Sequence, residues 1–319
     1  MKERMGKKMS KWMKKNAWFL MLMLALSFAM ALPVLAEDGQ ETESTGAQQE
    51  TTAEEQTDAA VTDGWHGKQY YQNGEAVTGF LTINGKKYYF NKNGNRVTGW
   101  KTINGKRYYF NAKGVCATGI KKIKKKYYYF KKSGALLTKT KKIDGITYYI
   151  DDNGYLEAYK KGSKYYKPNG KKMSSQETTE YETLLRAKAV VAKITTSDMS
   201  KSEKLKACFD WVVNRPYKIY RKFQKTDDWI TTYANDHFLR EGGECHADGA
   251  AMAYLAKAIG YTNVYVCLDC NGITAQGHCW AEINGKVYDP RFAAARGYSK
   301  YYAVSYGTYV LHPVLHVKI

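Results

Sequence analysis

Hydrophobic and polar positions change period several times along the chain. From Ala17 to Leu32 apolar residues run almost unbroken, and from Glu37 to Asp63 no periodic apolar position exists. From Trp65 to Met173 short aromatic runs alternate with glycine turns on a beat of 20 residues. Ile83-Asn-Gly-Lys-Lys-Tyr-Tyr-Phe90 recurs as Ile103-Asn-Gly-Lys-Arg-Tyr-Tyr-Phe110, then decays to the segments 123–130 and 143–150. A second glycine keeps the beat at Gly74, Gly94, Gly114, Gly134 and Gly154, with a shortened step to Gly170. From Gln176 the aromatic beat stops and apolar residues fall at helical spacing.

Each aromatic unit predicts two short strands joined by a tight turn, because Asn-Gly supplies the positive φ angles of a type I′ hairpin. One hairpin cannot bury its aromatic face in water, whereas stacked hairpins can. The pattern therefore predicts a β-hairpin solenoid over 64–173. Beyond it, Leu184, Leu185, Ala187, Val190, Val191 and Ile194 predict a helix, and Ser200 with Glu203 forms a capping box for a second that Pro216 ends. Ala247, Ala251, Tyr254, Leu255 and Ala258 predict a third helix that starts at Cys245, with Gly260 just past its end. Residues 263–270 read as a buried strand, and 277–283 and 286–289 as a hairpin about Asn284-Gly285. The fold class is α+β, and about 140 residues suffice to bury a core.

Charge separates the same segments. The chain of 319 residues carries a net charge of +20. Between Gly64 and Ser175 stand 25 Lys or Arg against 5 acids, so the basicity belongs to the repeats. Such a surface suits anionic polymers. Residues 1–36 read as a secretory signal, with a basic start, an apolar run shorter than a membrane span and a small-residue cleavage region. Residues 37–63 hold nine acids and no Lys or Arg, the composition of a disordered linker. A secreted protein held at the cell wall or cell surface is expected, with no permanent span after cleavage. Its partners would be wall polymers or glycans, not nucleic acid.

Chemistry concentrates near the C-terminus. Gly242-Gly243 leads into Cys245 in a helix's first turn, where the dipole should favour the thiolate and bring the thiol well below its ordinary value of about 8.5. Asn284-Gly285 fixes a register in which Ile283 faces Lys286, so Asp289 falls opposite Trp280 on one face. His278, two residues from Trp280, shares that face and is a diagonal neighbour of Asp289. Cys279 points the other way. The pattern selects Cys245 as nucleophile, His278 as acid and base, and Asp289 as the group orienting the imidazole. His246 should point away on the helix. Cys267, Cys270 and Cys279 lack a free fourth ligand, so no metal site and no cofactor are expected. A Cys270–Cys279 bridge stays open beside free buried thiols.

Two resemblances follow. The repeats resemble the cell-wall-binding repeats of the choline- and glucan-binding type, over about Trp65 to Met173. That resemblance implies aromatic cages, with Tyr70, Tyr89, Trp100 and Tyr109 as candidate contacts. Trp is lost after Trp100, where Ile120 and Thr140 stand in equivalent places, so a choline cage is not expected past the first two units. Gly-Glu-Cys before an Ala-rich helix, then His-Cys-Trp, then Tyr-Asp-Pro, resembles the transglutaminase-like superfamily of papain-related cysteine enzymes, over about Thr196 to Phe292. It implies a catalytic domain at 176–319, a Cys245–His278–Asp289 triad, Trp280 beside the site, and the Cys245 N–H as one oxyanion donor. The expected activity is acyl transfer on protein or peptide amides through a thioester. A cysteine protease or amidase uses the same triad, and a non-catalytic wall-binding adhesin is the reading from another class.

Overall fold

A computed structural model describes residues 61–272 and 277–319. The expected export signal, and the acidic linker as far as residue 60, lie outside the described residues. Ala60–Ile319 form one compact unit.

The aromatic beat becomes hairpins. Strands β1 (Gly64–His66), β2 (Gln69–Gln72) and β3 (Glu75–Ala76) make the first sheet. Three two-stranded hairpins follow: β4 (Gly79–Ile83) with β5 (Lys86–Phe90), β6 (Gly99–Ile103) with β7 (Lys106–Phe110), and β8 (Gly119–Ile123) with β9 (Lys126–Phe130). A four-stranded sheet closes the series: β10 (Lys141–Ile143), β11 (Ile146–Ile150), β12 (Leu156–Lys161) and β13 (Lys164–Tyr166). Asn84 and Gly85 turn with φ of 49° and 72°, and Asn104 and Gly105 with 48° and 71°, the two positive angles a type I′ hairpin needs. Where the dipeptide has decayed to Lys124-Lys125, Lys124 still takes φ of 54°.

Successive hairpins are tied by backbone and by rings. The N–H groups of Arg96, Cys116 and Leu136 each donate to the preceding unit, at the carbonyls of Lys68, Lys87 and Arg107, all at 2.8 Å. Phe90, Phe110 and Phe130 are fully buried between units, each contributing about 2 kcal/mol of burial. The last sheet abuts the helical region directly. Lys188 pairs with Glu157 and Lys167 with Glu177, both at 2.5 Å, and Tyr181 stacks edge-on against Tyr149.

The helices begin as their caps dictate. Helix α1 (Ser175–Ile194) opens on a Ser174/Glu177 capping box and α2 (Lys201–Val213) on the Ser200/Glu203 box. Helix α3 (Trp229–Arg240) starts after Asp228, whose side chain makes no cap bond, and its buried face mixes Trp229 and Tyr233 with Thr231, Asp236 and His237. That mixture hides its periodicity. Helix α4 (Cys245–Ala258) is buried along most of its length, and α5 (Pro290–Arg296) starts from Asp289 with proline in the first turn.

A five-stranded sheet in the order β17–β16–β15–β14–β18 lies against α4: β14 (Val264–Leu268), β15 (Cys279–Ile283), β16 (Lys286–Tyr288), β17 (Tyr302–Val304) and β18 (Leu315–Lys318). Ile283 pairs with Lys286 and Ala281 with Tyr288, the register of the two-residue turn. Gly249 sits where α4 crosses β15. A Cβ there would meet Cys279 Sγ at 2.9 Å and the Trp280 backbone at 3.0 Å, so the bare glycine lets the helix lie directly on the strand. This close crossing places the helix start, and Cys245, beside the first residues of β15.

Candidate active site

The site is assembled by three short-range decisions. The Glu244 carboxylate caps α4 by accepting the His246 N–H at 2.9 Å, which sets Cys245 in the first turn. The tight α4–β15 crossing brings the sulfur to the segment before β15. There Cys245 Sγ lies 3.9 Å from the Gly277 carbonyl, and the Cys279 N–H points at it. These two backbone groups flank His278. The Asp-Pro step then begins α5 with Asp289 as its N-cap, one carboxylate oxygen accepting the Phe292 N–H at 3.0 Å.

The other oxygen of Asp289 lies 2.7 Å from Nε2 of His278 and accepts the Tyr309 hydroxyl at 2.8 Å. Asp289 is fully buried, so these donors replace the water its charge has lost. Pairing at Nε2 holds the proton there and leaves Nδ1 as the ring's basic nitrogen. The imidazole stacks on Phe292, with centroids 3.9 Å apart and planes at 14°. Trp280 is buried behind it at 6.3 Å, and its indole N–H donates to the Tyr306 hydroxyl. The structure thus brings His278, Asp289 and Trp280 together and sets Cys245 against the backbone on both sides of His278. Among the described residues no hydrogen bond joins the Cys245 sulfur to the His278 ring.

Two expectations about this site are corrected. The Cys245 thiol is pushed up, not down, first by burial and then by the Glu244 carboxylate, whose oxygen lies 3.3 Å from the sulfur. Whatever the helix end contributes is outweighed by that burial and by the Glu244 charge, and Glu244 also takes the His246 N–H. His246 does not point away. Its Nδ1 lies 3.6 Å from the sulfur, while the same nitrogen is held by Glu244 at 2.6 Å and the ring stacks on Phe223 at 3.9 Å. The cap draws the ring back over the first turn. All six cysteines, Cys270 and Cys279 included, are free.

Several contributors were not legible in the sequence. Phe292 and Tyr309 give no motif. Asp248 is buried on α4, bonded to His237 Nδ1 at 2.9 Å and accepting from Arg291 Nε at 2.8 Å. Arg291 also donates to the Gly243 carbonyl at 3.1 Å. This residue on α5 therefore clamps the turn that carries Cys245, linking the Asp289 element to the thiol element.

In the repeats, the four sequence candidates are half-buried members of aromatic clusters. Tyr70 and Tyr88 meet Trp65 at 5.2 Å; Tyr89 and Tyr108 meet Phe80 at 4.9 and 5.1 Å; Tyr109 and Tyr128 meet Trp100 at 5.3 and 5.0 Å. A cation of the chain itself lies over the first ring of each cluster: Arg96 over Trp65 at 5.3 Å, Lys87 over Phe80 at 4.2 Å and Arg107 over Trp100 at 4.3 Å.

Residues 77–100 and 97–140 match the choline-binding repeat family, and residues 141–156 match a cell wall binding repeat family. Similar solved structures include choline binding protein F from Streptococcus pneumoniae, 32% identical over 33% of this chain and 38% of that one, with a TM-score of 0.27. A choline binding domain from Streptococcus pneumoniae is 36% identical over 25% of this chain and 94% of its own, with a TM-score of 0.22. A pneumococcal cell wall endolysin from phage Cp-1, complexed with choline, is 29% identical over 36% and 38%, with a TM-score of 0.26. The chain spans less than half the length of choline binding protein F. The comparison with curated proteins found no match. Among the described residues no helix is long and apolar enough to cross a membrane.

Proposed function

We propose that this chain, which carries choline-binding repeats of the cell-wall-binding kind, is a surface-attached cysteine enzyme with a transglutaminase-like C-terminal domain. The observation that supports it best is the buried pairing of His278 Nε2 with Asp289 at 2.7 Å, on the residue whose flanking backbone groups touch the Cys245 sulfur. In this reading Nδ1 of His278 takes the thiol proton as Cys245 attacks a carboxamide or peptide carbonyl. The imidazolium then protonates the departing ammonia or amine, leaving a thioester. An amine or water attacks the thioester, giving its proton to Nδ1, and the thiol is restored. Asp289 stabilises the imidazolium formed in each half-reaction. The raised thiol means that the resting state is the protonated one and that the proton must move at the moment of attack.

A second reading has its own support. The repeats alone account for wall attachment, and Glu244 beside the thiol opposes ionisation; both suit a wall-binding adhesin without catalysis. Wild type and Cys245→Ala, each given a glutamine-containing protein and a labelled amine, separate the readings. Cys245-dependent incorporation marks a transferase, and Cys245-dependent cleavage or deamidation without incorporation marks a protease or amidase. If neither occurs, the enzyme reading is lost; Glu244→Gln is separately expected to speed alkylation of Cys245 by iodoacetamide at neutral pH. The direction follows from the sign of the charge: removing the carboxylate lowers the thiol's pKa and raises the thiolate fraction.

For the repeats we infer an anionic wall polymer or glycan as the partner. Lys87, Arg96 and Arg107 already cover the rings that a quaternary ammonium would need, so the cationic surface is the freer contact. Salt is expected to release the protein from cell walls more effectively than free choline does. Release by choline at constant ionic strength would restore the cage.

A further inference from the structure

The sheet face that carries His278 and Trp280 continues, two strands across, into a cluster with no assigned role. Cys267 on β14 pairs directly with His316 on β18, and Glu282 on β15 pairs with Tyr265, one step diagonal to Cys267. The Cys267 sulfur, a Glu282 oxygen and a His316 ring nitrogen lie within 4.8 Å of one another. We propose that Cys267, Glu282 and His316 form a divalent-cation site of the zinc class that fastens the C-terminal strand β18 to the centre of the sheet.

The donor set decides the class of ion. A thiolate and an imidazole with one carboxylate suit zinc and its neighbours, whereas calcium and magnesium want oxygen alone. Zinc holds sulfur at about 2.3 Å and nitrogen or oxygen at about 2.0–2.2 Å in a tetrahedron, a scale that donors within 4.8 Å of one another can reach by small side-chain adjustments. The Tyr306 hydroxyl donates to Glu282 Oε2 at 3.0 Å and lies 3.8 Å from Cys267 Sγ, so it borders the cluster, where a water would complete the set. Its oxygen is in turn held by the Trp280 indole N–H at 3.2 Å.

Charge argues the same way. Glu282 is buried, and among the described residues its one ionic partner is His316, at 3.0 Å, which is charged only when protonated. No Lys or Arg pairs with it among the described residues. A buried carboxylate without a permanent counter-charge is costly, and a divalent ion supplies one. Access exists because the His316 side chain is 39% exposed, while Cys267 is fully buried beneath it. His316 is pre-oriented by stacking on Tyr265, with centroids 4.0 Å apart and planes at 16°. On binding, the Cys267 S–H bond breaks, a sulfur–metal bond forms and the proton leaves to solvent. The spacing of Cys267, Cys270 and Cys279 suggested no such site because the other ligands, Glu282 and His316, stand on the two strands that flank β14, a pairing that cysteine spacing does not report.

The test titrates the full chain, stripped of metal by chelation, with Co²⁺ and then with Zn²⁺. The expected result is a single-equivalent thiolate-to-cobalt charge-transfer band with tetrahedral visible bands, and a rise in Tm with zinc. His316→Ala, a change at a part-exposed side chain, should remove both while circular dichroism stays native. Cys267→Ser should remove the charge-transfer band. Cys245→Ala should leave both readouts unchanged, which separates this cluster from the neighbouring Glu244, Cys245 and His246 group, whose donors also lie within 4.8 Å of one another. No charge-transfer band in wild type, a band and Tm rise that survive His316→Ala, or a band lost with Cys245 would each overturn the proposal.

Discussion

His278→Ala is expected to lower the proposed Cys245-dependent incorporation of a labelled amine by about 10²–10⁴-fold, the usual contribution of a positioned acid–base group. The loss should be this large because the Cys245 thiol rests protonated, raised by burial and by Glu244. A nucleophile with a low pKa could act without help, whereas Cys245 in the proposed role needs a base at the moment of attack. The rival base is His246, whose Nδ1 is 3.6 Å from the sulfur. That nitrogen is engaged by Glu244 at 2.6 Å and the ring is clamped against Phe223, so His246→Ala should cost far less than His278→Ala. Kinetics of the two variants at matched amine concentration decide between them. A larger loss in His246→Ala would transfer the acid–base role to it and leave His278 and Asp289 as a structural pair.

Asp248→Ala should destabilise the C-terminal region by about 3–5 kcal/mol, the usual effect of removing one member of a buried ion pair. The carboxylate is buried and serves both His237 and Arg291. Its removal leaves the Arg291 guanidinium, only 16% exposed, without its counter-charge. Urea denaturation should show a lower midpoint, and Asp248→Asn, which keeps the shape and one acceptor, should fall between. Arg291 also grips the Gly243 carbonyl, so the same variant should loosen the turn before Cys245 and slow its chemistry at temperatures where the fold persists. An unchanged midpoint in Asp248→Ala would mean that water replaces the carboxylate at no cost and that the clamp is not structural.

The parts of the site visible in the sequence were those governed by local rules. Asn284-Gly285 dictates its hairpin register through its own backbone angles, and that register carries His278 toward Asp289. The Ser200/Glu203 capping box fixed a helix start in the same local way, and the structure adds a like box at Ser174 and a proline-led start after Asp289. Helix α3 escaped notice because its buried face holds Thr231, Asp236 and His237, whose partners lie elsewhere in the chain. The acidity of Cys245 was misread for a related reason. Whatever a helix start contributes to a thiolate is outweighed here by burial and by the preceding residue's own carboxylate, which takes one N–H and adds a negative charge beside the sulfur.

The sequence by itself determined the repeat beat, the hairpin turns, the concentration of positive charge in the repeats and the pairing of His278 with Asp289. The turns and the hairpin register that pairs His278 with Asp289 follow from local backbone rules, and the beat and the charge from composition along the chain. Only the tertiary structure decided which charges meet across elements: Arg291 on Asp248 and Gly243, Tyr309 on Asp289, His316 on Glu282, and the chain's own cations over the rings of Phe80 and Trp100. The reason is range. Backbone angles and caps are settled over a few residues, whereas the energy of a buried charge depends on whichever groups the packed chain brings within a few ångströms.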